Sequence, residues 1–545
     1  MTIIDAVRFG VKTETDITLA LAQMIKQARE TQGEKLITFP KGVYYLDAEK
    51  CEEHMLYISN TVGDKEFKND EIPHKNAVPF YFHRVDDFIF DANDSTFIIK
   101  GKVTNAAFIN CNNVTFQNLE IAHERPDMNE YTVEEVSKHS VIFKMDKDTR
   151  YKVKGGKMYL SLNAGEINAA KNAACSWWIG LIRKATPDKV ERVASPLMNC
   201  CWIKDLGNGR IKAYYPDTKR FLEGDKLYNY DVRRQFAGIF ISRSKNITIK
   251  NVKQRFDYSL ALIAQDTENI TIDLVEFAPE KNGTLRLSSV ADFIQISTCR
   301  GKVVIKDSYF DGAGDDCLNV HGIHFKIIKR DGDKLFLRFM HPQTHGFNPL
   351  HVGDKIAYIN PETMLETGRA EITKTDLISE TDFKIRVSNF DNAKVGYCIE
   401  NISACPELEF VNNTMTRIIT RGILVTTRGK VLIKNNHFVS TTMSGILLSD
   451  DAHSWYESGM CEDVTIENNV FDYCGETPIL IKPENKVYEG AVHKNIKIIG
   501  NEFKKYDGVC IDAYSTDNIL IKNNKFLNDN YLKADKCNNV VIENQ

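Results

Sequence analysis

No apolar run in this 545-residue chain approaches the ~20 residues that a membrane-spanning helix needs. A basic surplus is missing too: 70 Lys and Arg face 74 Asp and Glu, a formal net charge of −4. Nucleic acids and anionic membranes both select for positive charge, so neither is an expected partner. The opening stretch, Met1 to Asp16, lacks the basic-then-apolar order of a secretion signal, and a cytoplasmic chain is the expectation from it. The 13 cysteines form no framework: there is no C-x-x-C pair and no Cys/His spacing of the zinc type. Reduced cysteines buried in apolar runs, such as Cys317, Cys398 and Cys510, are expected rather than disulfides. With 43% hydrophobic and 26% charged residues, the composition is that of a folded chain. At about 150 residues per domain, the length allows several domains or one long repetitive fold.

A repeat decides between these. Asn246-Ile-Thr-Ile-Lys-Asn251 returns as Asn269-Ile-Thr-Ile-Asp273, 23 residues later. Related phrases begin at Asn113, Lys430, Asp463, Asn495, Asn518 and Asn539. Each is a short alternating strand, an Asn-rich bend and an apolar residue, often Phe. Alternation means one buried strand face. Asn tolerates the left-handed conformation of a bend, and its amide can bond to backbone. Units of 21–23 residues predict an all-β fold, a right-handed parallel β-helix whose stacked coils share a core. The leucine-rich-repeat signature is absent, and a propeller needs units of ~40 residues.

Asp16 is placed to N-cap a helix from about Ile17 to Glu30, with Leu19, Leu21, Met24, Ile25 and Ala28 on its apolar side. Such a helix would seal the open end of the solenoid. Two segments break the period and carry hairpin signals, Asp205-Leu-Gly-Asn-Gly-Arg210 and Lys329-Arg-Asp-Gly-Asp-Lys334. They share a phrase, Leu222-Glu-Gly-Asp-Lys-Leu-Tyr228 and Val352-Gly-Asp-Lys-Ile-Ala-Tyr358, and read as two related small β-barrels. The expected division is a cap and first coils over 1–124, a barrel over 125–235, acid-bearing coils over 236–321, a second barrel over 322–400 and final coils over 401–545.

The densest chemical signal is Asp307-Ser-Tyr-Phe-Asp-Gly-Ala-Gly-Asp-Asp-Cys-Leu-Asn-Val-His-Gly322. Asp292 precedes Asp315 by 23 residues, about one coil, so stacking should gather Asp292, Asp315 and Asp316 in one patch. Mutual repulsion raises at least one pKa in such a group. One protonated and one ionised carboxyl are what glycosidic hydrolysis requires. The bland alternatives are turn aspartates or a calcium site, although the closing Glu of an EF-hand is missing. Leu448-Ser-Asp-Asp-Ala-His-Ser-Trp-Tyr-Glu-Ser-Gly459 interrupts the repeat. Its Trp455 either stacks on a sugar or pins a loop. His321 and His345 are either core residues or catalytic ones.

On these residues the chain resembles glycoside hydrolase family 110, the exo-acting α-1,3-galactosidases. The resemblance runs through Ala291-Asp292, Gly301-Lys302-Val303-Val304, Asp315-Asp316 to Gly322, Met340-His341 and Gly346-Phe347. It continues through Ile399-Glu-Asn401, Arg421-Gly422, Trp455-Tyr-Glu-Ser-Gly459 and Asp463-Val-Thr-Ile466. It implies a pectate-lyase-like solenoid with two barrels and an inverting, metal-independent mechanism without cofactor. The implied reaction is release of terminal α-1,3-linked galactose from a glycan, as in blood group B and linear α-galactosyl epitopes. By resemblance and by the opposed projection of adjacent residues, Asp315 is the general acid, while Asp292 and Asp316 hold and deprotonate water. Arg234, Gln265, Asn319, His321, Arg421, Asp451, Trp455 and Glu457 are the expected sugar-binding residues. Thr344-His-Gly-Phe347 departs from a family pattern with Trp in place of His, removing an aromatic wall. A homo-oligomer is compatible with all of this. The Asp-Asp-Cys phrase also resembles family 28 polygalacturonases, but their Gly-His-Gly and Arg-Ile-Lys motifs are not in the expected places. A pectate lyase would need a calcium cluster with an Arg base. A non-catalytic carbohydrate-binding β-helix is the remaining alternative.

Overall fold

The computed structural model describes residues 1–61, 74–126, 128–147, 149–162, 165–168, 179–187, 189–194, 196–230, 234, 236–283 and 285–544. The alternation seen in the repeats sets the architecture. Val431, Ile433, Val464 and Ile466 are buried, and parallel pairing stacks them coil on coil: Val431 on Val464, then Ile496, then Ile519. Two long sheets result, one running from the first strand Thr2–Asp5 to Asn538–Glu543, the other from Phe80–His83 to Leu532–Asp535. Apolar side chains of both sheets meet in one continuous core. The chain is a right-handed parallel β-helix.

The Asn pairs at the bends divide their work. Asn412, Asn435, Asn468 and Asn523 take left-handed backbone, with φ of 58°, 56°, 54° and 54°. The Asn that follows each turns inward, as does Asn501 after Gly500, whose φ is 66°. Asn413, Asn436, Asn469, Asn501 and Asn524 are buried and form a ladder, each amide donating to the next carboxamide oxygen at 2.9–3.2 Å. The same oxygens accept backbone N–H groups at 2.9 Å. The buried carboxamides and the backbone N–H groups beside them thus satisfy one another. Phe438, Phe471, Phe503 and Phe526 stack beside the ladder at 4.6–5.1 Å.

The cap helix spans Thr18–Glu30, with Leu21, Met24, Ile25 and Ala28 buried against the first coils. Two details differ from the sequence reading. Ile17 occupies the cap position, and Asp16, one residue earlier, still accepts from the Thr18 N–H at 2.9 Å. Leu19 points to solvent at 62% exposure, because it lies between the buried turns of the helix.

The second insertion is a closed six-stranded barrel from Phe325–Asp331 to Cys398–Asn401. The first holds a seven-stranded antiparallel sheet; among the described residues its edges, Glu191–Val193 and Trp202–Gly207, do not pair, so it is not closed there. The phrase the two share does one job in both. Gly224 and Gly353 have φ near 90°, and each delivers a buried aspartate, Asp225 or Asp354, to an arginine, Arg183 or Arg300. Met128, Ile182, Val190 and Tyr228 of the first insertion pack with Leu287, Val290 and Ile419 of the solenoid, immediately beside the coil that carries Asp292.

Candidate active site

The site is assembled by register. Strand Ile294–Ser297 pairs parallel with Leu318–Ile323, Ile294 opposite Leu318 and Ser297 opposite His321. That coil is therefore 24 residues long, and Asp292 comes level with Asp316 rather than Asp315. The Phe293 N–H donates to the Asp316 carbonyl at 3.0 Å, and the Asp316 N–H donates to Asp292 Oδ1 at 3.2 Å. Gly314 permits this closeness: a Cβ there would lie 2.6 Å from the Ser289 and Val290 carbonyls of the coil below.

The next coil supplies the counter-charge. Arg421 donates from its backbone N–H and its Nε to Asp316 Oδ1, at 2.9 and 3.0 Å. Arg234 reaches to 3.6 Å from Asp315 Oδ2. The Thr420 hydroxyl touches both Asp315 Oδ1 and Asp316 Oδ1. Burial, then the charges of Asp315 and Asp316, push the Asp292 carboxyl well above the ordinary carboxylate range. Burial and Asp316 also raise Asp315, while Arg234 and Arg421 oppose the shift. Burial disfavours the Arg421 charge, but Asp316 and Asp315 more than offset it and raise its pKa. Asp316 is 1% exposed and Asp292 3%, whereas Asp315 keeps 9%, the most open edge of the three. Two guanidinium groups meet the charge of these acids, and the raised carboxyls are suited to carrying a proton.

Alternation along Leu318–Ile323 sends Leu318 and Val320 into the core and Asn319 and His321 outward. The loop after Asp450 folds back so that Glu457 pairs antiparallel opposite Ile323. Asn319 Nδ2 then donates to Glu457 Oε1 at 3.0 Å. His321 Nδ1 donates to the Gly322 carbonyl at 2.7 Å, which leaves Nε2 to accept from Gln295 Nε2 at 2.8 Å. Asn60, Gln295, His321, Met340, Trp455 and Glu457 line a cleft at this point. Asn319 Oδ1 and Gln295 Oε1 are buried without a hydrogen-bond partner among the described residues. Such oxygens call for donors, which sugar hydroxyls supply. Trp455 is 49% exposed and stacks at 4.6 Å on His341 of the barrel, with the rest of its surface open.

Two predicted ligands have their polar atoms otherwise engaged. Gln265 accepts from the Ser59 N–H at 3.1 Å and donates to the Tyr57 carbonyl at 2.9 Å, holding the rim segment in place. Asp451 accepts from the His453 and Trp455 N–H groups and the Ser454 hydroxyl at 2.6–2.7 Å. Burial opposes its ionisation, yet these bonds hold its carboxyl below the ordinary range. Both residues order the site through backbone. Sequence reasoning missed Thr420 and Gln295. Thr420 adjoins Arg421 without a signal of its own, while Gln295 was findable from its register with Asn319.

A parallel solenoid that buries three carboxyls on adjacent coils, faces them with two arginines and opens a polar cleft beside them defines a β-helix glycoside hydrolase. Comparison with known proteins names the family. Residues 334–390 match the GLAA-B beta-barrel domain II and residues 421–545 the right-handed beta helix region. Alpha-1,3-galactosidase A of Bacteroides fragilis is 34% identical over 90% of this chain and 82% of its own. The same-named protein of Bacteroides thetaiotaomicron is 31% identical over 96% and 93%. Alpha-1,3-galactosidase B of Parabacteroides distasonis is 26% identical over 93% and 84%. Among solved structures, an exopolygalacturonase from Thermotoga maritima aligns over 99% of this chain and 91% of its own at 11% identity, with a TM-score of 0.38. The chain belongs to glycoside hydrolase family 110, the α-1,3-galactosidase family.

Proposed function

We propose that this protein is an exo-acting, inverting α-1,3-galactosidase that removes terminal galactose from blood group B-type and linear α-galactosyl glycans. The observation that carries the chemistry is the division of charge within the acidic cluster. Asp316 has Arg421 as counter-ion, and Asp315 sits at the open edge with its pKa raised. Asp315 protonates the departing glycosidic oxygen. Asp316, level with Asp292, takes the proton of a water that the two hold between them on the opposite face of the ring. Thr420 assists: its single hydroxyl proton serves Asp316 while its oxygen accepts from a protonated Asp315. The Thr420 bridge, at 3.1 and 2.5 Å, holds Asp315 Oδ1 and Asp316 Oδ1 closer than the roughly 6.5–9.5 Å usual for inverting pairs, so inversion here depends on a water held by Asp292 and the far oxygen of Asp316. Asn319, His321, Gln295 and Glu457 receive sugar hydroxyls, and Trp455 offers an apolar face.

The test is proton NMR of the first-formed product from blood group B trisaccharide and from linear Gal-α-1,3-Gal. β-Galactose is expected to appear first; α-galactose first would overturn inversion. Asp315→Asn should lose about 10²–10⁴-fold on the disaccharide and much less on an aryl galactoside, whose leaving group needs little protonation. Asp292→Asn and Asp316→Asn should depress both substrates alike.

A further inference from the structure

A second cluster of ligating side chains lies apart from the three acids and shares no residue with them. His74, His345 and Glu380 bring one donor atom each to within 4.8 Å of one another. They come from three separate places: the segment before strand Lys75–Ala77, the loop after the barrel strand Lys334–Arg338, and the turn before Asp382–Val387. We propose that this trio binds a divalent zinc-class cation that staples the N-terminal coils to the second barrel at the rim of the cleft.

The chemistry of the donors points to zinc. Two imidazoles and one carboxylate suit a borderline-soft ion, whereas magnesium and calcium seek all-oxygen shells. The surroundings are already those of ligands. His345 Nδ1 donates to the Pro342 carbonyl at 3.2 Å, which fixes the tautomer with the Nε2 lone pair available. The Tyr57 hydroxyl donates to Glu380 Oε1 at 2.7 Å, orienting the carboxylate. Hydrogen bonds of this kind from outside the ligand set fix ring tautomers and ligand orientation in metal sites. The rings of Tyr57, His74 and His345 pack on one another, Tyr57 to His74 at 4.3 Å and His74 to His345 at 5.3 Å. Tetrahedral zinc places its ligand atoms ~3.4 Å apart, so rotation of the half-exposed side chains by about 1 Å completes the set, with water in the fourth position.

The position gives the ion a purpose. The Asn60 N–H donates to the Gln343 carbonyl at 2.8 Å and the Gly346 N–H to the Glu380 carbonyl at 2.7 Å, so the same segments already touch. Met340, His341 and Thr344 of this loop line the cleft opposite Trp455 and Glu457. An ion at the trio would fix that wall without entering the reaction.

The full-length protein, stripped with chelator, is titrated with Zn²⁺ by calorimetry and in competition with a chromophoric chelator. One tight equivalent is expected, together with a raised unfolding temperature, and magnesium at equal concentration should not compete. His345→Ala and Glu380→Gln should each weaken binding at least roughly a hundredfold, and Tyr57→Phe about tenfold. The zinc absorption edge should show nitrogen and oxygen neighbours. Equal binding by wild type and both ligand variants, a sulfur shell from the cysteines, or no binding tighter than about 0.1 mM would each overturn the proposal. Glu380 is exposed, so its variant tests the site without disturbing a core.

Discussion

Asp292 and Asp315 lie where burial and neighbouring charge lift both above the ordinary carboxylate range. For each, the folded-state pKa exceeds the unfolded one. The native state therefore holds more protons than the unfolded chain once pH rises above the ordinary carboxylate range, and stability falls through that window up to the raised values. Asp292→Asn removes this penalty while its amide oxygen can still accept from the Asp316 N–H. The variant should be inactive yet more stable near neutral pH, by about 0.5–2 kcal/mol. The gain should fade as pH is lowered toward the ordinary carboxylate range. Calorimetric melts across that range check it; a constant or reversed difference would contradict the assignment. Trp455 raises a different question at the same scale. Trp455→Ala should raise KM for the disaccharide severalfold with little loss of stability, since half the ring faces solvent. An unchanged KM in a folded variant would reduce it to a partner for His341.

At the scale of the element, the bend explains why neighbouring asparagines are not equivalent. Asn468 and Asn469 are adjacent, one exposed with φ of 54°, the other buried in the ladder. Asn468→Gly should change stability by well under 1 kcal/mol, because glycine accepts the left-handed conformation freely. Asn469→Ala strips partners from the Asn436 N–H and the Ile433 carbonyl, both inside the solenoid. Unsatisfied buried groups cost about 1–3 kcal/mol each, so the loss should exceed about 2 kcal/mol in denaturant titrations. The loop from Asp450 follows a related logic. Asp450 is fully buried against His324 at 2.8 Å, and the His324 N–H donates to the Tyr456 carbonyl at 2.8 Å. These bonds, with the turn built on Asp451, place Glu457 beside Asn319.

Across the whole molecule, the second barrel is latched to the solenoid by charge. Arg428, on the turn between solenoid strands Ile423–Thr426 and Val431–Lys434, grips Glu400 of the barrel with bonds of 2.7 and 3.0 Å. It also reaches barrel Glu366 at 2.9 Å and solenoid Glu462 at 3.5 Å. Arg300 and Asp354 form a second, bidentate latch at 2.7 and 2.9 Å. Arg428→Met would leave Glu400 buried and unpaired, at a cost of about 3–5 kcal/mol. The barrel should then show faster amide exchange than the C-terminal coils, read by mass spectrometry; uniform exchange would show that the latch is dispensable.

The repeat made the solenoid legible, because a buried strand face leaves alternation in sequence and a bend leaves Asn pairs. The break in period and the hairpin signals located both insertions, but closure into a barrel depends on long-range pairing, and the first does not close among the described residues. In the site, Asp292, Asp315 and Asp316 were legible since stacking turns one coil of sequence into one step of space. The coil length was off by one residue, and only the pairing of Ile294 with Leu318 shows that Asp292 meets Asp316. The roles of Thr420, Gln265 and Asp451 were hidden for a different reason. A hydroxyl, an amide or a carboxylate reads the same whether it meets a sugar, an acid on the neighbouring coil, a distant rim segment or its own loop. The coil, its period and the acids that the period brings together follow from residue order alone, because stacking repeats whatever the repeat contains. The tertiary structure decided which polar groups are spent holding the chain and which remain for a ligand, because that depends on partners that approach from other coils and from the barrel.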